Sequence, residues 1–160
     1  MRKIHLDKNG FTLTELSVAL LILGIAAAIV LPDLKTSLAR YTLYSTARQM
    51  ASEIRAVQQE AVTTGQVLYQ IFFDVTDNFY ILKLNTQTLK TVQLPSTISM
   101  ETKFPLPPPK QTTMEFNVKG ISTAGTIILR DKVTGSFYYV IVAPVTGRVR
   151  ISSTPPENWY

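Results

Sequence analysis

The stretch Gly10-Phe11-Thr12-Leu13-Thr14-Glu15-Leu16 begins an apolar run in which, after Glu15, no further charge occurs before Pro32-Asp33. Residues 11–31 number twenty-one, which at a helical rise of about 1.5 Å per residue matches the hydrocarbon thickness of a bilayer. A carboxylate five positions into such a run is costly in lipid unless a cation neutralises it. Ahead of the run lie Arg2, Lys3 and Lys8 against Asp7. This basic flank should stay cytoplasmic and send the rest of the chain across the membrane. An ordinary secretory signal is the alternative, with Ala26-Ala27-Ala28 as its small-residue cleavage site. Against that alternative, the run is longer than a usual signal core, Glu15 interrupts it, and helical periodicity resumes beyond Pro32.

That periodicity is carried by Leu43, Ala47, Met50, Ile54, Val57 and Ala61, which step by three or four and draw one apolar stripe. Arg40, Arg48, Glu53, Arg55 and Glu60 fall off the stripe and read as a solvated face. Gly65, after Thr63-Thr64, is a left-handed cap that ends the helix. From Gln66 onward the pattern is β, with apolar runs at 67–73, 79–84, 89–94, 114–118, 126–129, 137–143 and 149–151. Turn residues separate several of them: Asp77-Asn78, Asn85-Thr86, Thr134-Gly135 and the segment 144–147. Pro105, Pro107, Pro108 and Pro109 make 103–110 a stiff connector that cannot lie inside a sheet. The predicted fold is α+β: a long N-terminal helix packed on antiparallel strands arranged in two small sheets.

The junction Gly10-Phe11 followed by Thr12-Leu13-Thr14-Glu15 resembles the leader of type IV pilins and pseudopilins. The resemblance implies that a prepilin peptidase cuts after Gly10 and that Phe11 becomes the N-methylated first residue. It also implies a helix kink at Pro32, and a role for Glu15 in assembly, where it meets the N-terminal amine of a neighbouring subunit. Four positions separate Phe11 from Glu15, so the carboxylate could instead satisfy its own amine one turn away. Thr14 departs from the aliphatic residue more usual there; its hydroxyl can bond back along the helix. On this resemblance the chain divides into a leader (1–10), a membrane or filament-core helix (11–31), an amphipathic continuation (32–65) and an extracytoplasmic β domain (66–160).

The segments around 51–65, 125–129, 138–142 and 146–151 resemble the H-type pseudopilins of type II secretion and the FimT-like minor pilins. The implied partners are other pilins or pseudopilins, the prepilin peptidase, an inner-membrane assembly platform and membrane lipid. The implied location is the cytoplasmic membrane, with a single span, and then the filament. Chemistry points away from an enzyme or a cofactor: the chain has no cysteine, and its one histidine, His5, lies in the leader.

Gly147-Arg148-Val149-Arg150 is a further candidate site. On a strand, Arg148 and Arg150 project from one face, and a similar motif in FimT-like pilins implies binding to DNA phosphates. Residues 11–118 hold eight basic and eight acidic side chains, whereas 119–160 hold five and two, so the positive excess lies at this end. Flanking arginines that merely discourage edge pairing are the plainer reading.

Overall fold

The computed structural model describes residues 11–65, 69–105, 112–120, 123–143 and 146–157. The leader and most of the proline-rich connector fall outside them. The chain divides into two compact units, residues 1–37 and 38–160. A single helix, α1 (Leu13–Thr64), is assigned without a break through Pro32.

In the first unit the helix has no protein cover. Phe11 is 89% exposed, and Leu16, Leu20, Leu23 and Ile29 are all exposed. An 18-residue window reaches a mean hydropathy of 2.4, long and apolar enough to cross a membrane.

In the second unit the stripe read from the sequence is the helix's core face. Leu43, Ala47, Met50, Ile54, Val57 and Ala61 are all buried, and Ala51 joins them. The helix stops at Gly65 with φ +62°, a conformation that costs a glycine nothing.

The strands are β1 (Tyr69–Asp74), β2 (Phe79–Leu84), β3 (Gln87–Gln93), β4 (Ile98–Lys103), β5 (Thr113–Phe116), β6 (Gly125–Asp131), β7 (Phe137–Val142) and β8 (Val149–Ser152). They form two antiparallel sheets, in the orders β3-β2-β1-β5 and β4-β6-β7-β8. In the first sheet Ile71 stands opposite Leu82 and Met114, and Phe73 opposite Tyr80, so the buried residues line up across three strands. In the second, Ile127 pairs with Val140 and Leu129 with Tyr138 on the face that shares the helix's core. Asn78 (φ 55°) and Asn85 (φ 56°) take the left-handed positions of their turns, as the sequence indicated.

Three expectations need correction. β4 was not among the predicted strands: only Ile98 and Met100 point inward before Glu101, too short an alternation to stand out beside Pro95. Lys103 belongs to that strand rather than to the connector, and Phe104 is buried in the core, 5.8 Å from the Phe73 ring. Val118 lies in the turn after β5, not in the strand.

Glu53 is a further correction, since it does not belong to a solvated face. Its carboxylate accepts hydrogen bonds from the Tyr80 hydroxyl on β2 (2.8 Å), Lys90 Nζ on β3 (2.8 Å) and the Gln49 amide (3.2 Å). The helix is thereby tied to the β2–β3 hairpin. Burial pushes the carboxyl pKa up, but the bonds from Lys90, Tyr80 and Gln49 and the Lys90 charge outweigh it and leave it below its usual value. Tyr80 is raised, by burial first and then by its bond to Glu53 and that carboxylate's charge.

A lowered native pKa stabilises the fold fully above the unfolded value of about 4.3, and the benefit fades as pH falls through the native value. Glu53→Gln should therefore cost about 1–2 kcal/mol at pH 7. The difference from wild type should shrink steadily below about pH 4.3. Denaturant titrations of both proteins across that range check this; a gap independent of pH would contradict it.

Candidate functional site

Two groups of residues carry chemistry, one in each unit. At the start of α1, Thr12 is the N-cap and Glu15 the third helical residue. Glu15 Oε2 accepts from both the Thr12 amide (2.9 Å) and the Thr12 hydroxyl (2.9 Å), and the Glu15 amide donates back to Thr12 Oγ1 (3.3 Å). Thr12-Leu13-Thr14-Glu15 is thus a capping box, in which side chains satisfy helix-end donors that have no partner in the helix. The Thr-x-x-Glu pattern of such a box stands in the sequence at residues 12–15. Among the described residues the Thr14 hydroxyl meets that of Thr12 at 3.0 Å. Ser17 bonds back, to Leu13 O at 2.9 Å. Glu15 Oε1 has no partner among the described residues. One carboxylate oxygen serves the helix end and the other is left over. Phe11 precedes the helix by two residues, and Gly10 lies outside the described residues.

In the second unit, Arg148 and Arg150 are both exposed, and Val149 between them is buried, as strand alternation requires. Arg148, however, precedes β8 and sits in the turn whose Gly147 amide donates to Ala143 O (3.0 Å). The two guanidinium groups also belong to different surroundings. Arg148 lines an open cleft of about 510 Å³ together with Arg55, Gln58, Gln59 and Gly120. Arg150 lines another, of about 290 Å³, with Ile141, Thr154, Pro156 and Glu157. The first cleft's walls are held by two helix side chains. Gln58 Nε2 donates to Gly147 O (2.6 Å) and Gly120 O (3.1 Å), and Arg55 donates to Val149 O (2.8 Å). Arg55, read from the sequence as a solvated charge, is therefore a wall residue. Its partner lies 94 positions away, and no local pattern announces it.

Among the described residues no group of three or more His, Cys, Asp or Glu side chains could hold a metal ion. What the chain offers is a bare apolar helix, a satisfied helix start with one spare carboxylate oxygen, and a β domain built on the helix's second half.

A long helix with that start, whose second half shares a core with two antiparallel sheets, is the architecture of the pilin-like α+β class. The family model described as "Type II transport protein GspH" matches residues 46–152, and that described as "Prokaryotic N-terminal methylation motif" matches residues 6–31. The chain belongs to the GspH family. Its fold is similar to that of the minor pseudopilin EpsH from the type 2 secretion system of Vibrio cholerae, at 14% identity and a TM-score of 0.56. That match covers 69% of this chain and 95% of the other. It is similar too to the type IV minor pilin FimU of Pseudomonas aeruginosa, at 15% identity and a TM-score of 0.58, covering 76% and 97% respectively. No curated protein sequence matches. The structural likenesses show a pilin-like fold, and the N-terminal match shows a methylation motif at the start of its apolar helix.

Proposed function

We propose that the chain is a minor pseudopilin of a type II secretion filament, made as a precursor and held in the cytoplasmic membrane by residues 11–31 before assembly. Prepilin peptidase cuts between Gly10 and Phe11, and the new Phe11 amine is methylated. The β domain lies on the extracytoplasmic side, and the inner-membrane platform lifts the subunit into contact with other pseudopilins. Pro32, which lacks an amide donor to complete the helical ladder, is where the helix bends in the filament.

The observation that carries this reading is the divided role of Glu15. With Oε2 committed to the Thr12 cap and Oε1 without a partner among the described residues, the carboxylate can hold its own helix together and still accept a bond from a neighbour's amine. In lipid, where water does not compete, an unmatched charge of either sign is expensive, so paired subunits settle at the axial offset that joins them.

A shearing experiment tests the proposal. In cells carrying the whole secretion machine, the chain should appear in the sheared filament fraction, and inactivating the prepilin peptidase should remove it. Equal recovery without the peptidase would contradict the proposal.

DNA capture through Arg148 and Arg150, both exposed on either side of buried Val149, is a different reading. The pair is split between two clefts, and Arg150 shares its own with Glu157.

A further inference from the structure

The cleft of about 510 Å³ between α1 and the β7–β8 turn is lined by Arg55, Gln58, Gln59, Val62, Gly120 and the turn residues 146–149, with no carboxylate among them. Neither Arg55 nor Arg148 takes part in an ion pair among the described residues, where Lys90–Glu53 is the pair formed. Arg55 spends one donor on Val149 O, and a guanidinium has five. The Gln58 and Arg55 bonds to both loops hold the walls in place without a ligand, so binding there has little ordering cost.

We infer that this cleft is a receptor for an acidic peptide segment of a partner protein, whose carboxylates are taken by Arg55 and Arg148. Guanidinium forks pair with carboxylates in two parallel hydrogen bonds, and Gln59 supplies a neutral amide beside them. The volume suits a few side chains of an extended segment. The inference adds a partner chemistry to the filament reading but does not require it, since the cleft belongs wholly to the second unit.

The test uses the full mature chain (residues 11–160) in detergent micelles. Labelled hexaglutamate is the probe, with hexaglutamine, inorganic phosphate and a DNA duplex as comparison ligands. Hexaglutamate should bind and hexaglutamine should not, with affinity falling as salt rises. Arg148→Gln should weaken binding about tenfold, and Arg55→Gln likewise, while Arg55→Lys keeps part of it. Arg55→Gln loses a bond to β8 and some stability with it, so Gln59→Glu serves as the second variant. Gln59 is exposed and bonds to Thr63 on its own helix rather than to the cleft's walls, and its added carboxylate should weaken hexaglutamate about tenfold with an unchanged melting temperature. Undiminished binding in Gln59→Glu and Arg148→Gln overturns the inference. So does inorganic phosphate displacing the peptide at equal concentration, or tighter binding of duplex lost through the same changes. Peptide binding by a chain that never enters filaments would sink the filament reading and leave this one standing.

Discussion

Glu15→Gln should insert in the membrane and be cleaved normally, yet enter filaments at least about tenfold less than wild type, because pairing a charge in lipid is worth a few kcal/mol and about 1.4 kcal/mol is tenfold in an equilibrium. The substitution is informative because glutamine, like glutamate, completes a capping box at the third helical position. The bonds to Thr12 at 2.9 Å can be kept while the charge is removed. Glu15→Ala removes both, and should add a loss of helix-start stability of about 1 kcal/mol. Comparing the two in a sheared-filament assay separates capping from subunit pairing. If Glu15→Gln assembled like wild type and only Glu15→Ala failed, the carboxylate would be a cap and nothing more.

Phe73→Ala should destabilise the β domain by about 3–5 kcal/mol, a large part of the about 5–15 kcal/mol that holds a typical domain folded. Phe73 is fully buried on β1, the strand between β2 and β5. Its ring lies 6.1 Å from Tyr80 and 5.8 Å from Phe104. The cavity left behind would be lined by side chains from two strands and the segment after β4, none able to collapse without shifting its sheet. Phe72 is the internal control. It is half-buried on the opposite face of the same strand, with Lys83 Nζ 5.3 Å from its ring centre, and Phe72→Ala should cost about 1 kcal/mol. Denaturant titration of the full chain in detergent reads both. Equal costs for the two would mean that the faces of β1 are assigned wrongly.

Much of the architecture was legible because its periods are local. The stripe from Leu43 to Ala61 repeats every three or four residues, and every member is buried. The cap at Gly65 and the asparagine turns at 78 and 85 are signals carried by single residues. β4 was missed because only two of its side chains face the core. The polar interior was illegible for a different reason. Glu53 finds Tyr80 and Lys90 at separations of 27 and 37 residues, and Arg55 finds Val149 at 94. On the helix alone both look like ordinary solvated charges, and only the sheets' return to that face gives them partners. At the candidate sites the order was reversed. Glu15 and the arginines were conspicuous in the sequence. The capping role of Thr12, and the different clefts that Arg148 and Arg150 line, depended on which atoms stand within reach.

The most direct measurement is the intact mass, with fragment sequencing, of the chain recovered from filaments. The account predicts a polypeptide that begins at Phe11, carries one added methyl group on its α-amine and retains residues 12–31. A chain that still carries its first ten residues, or one that begins beyond Ala28, would contradict it.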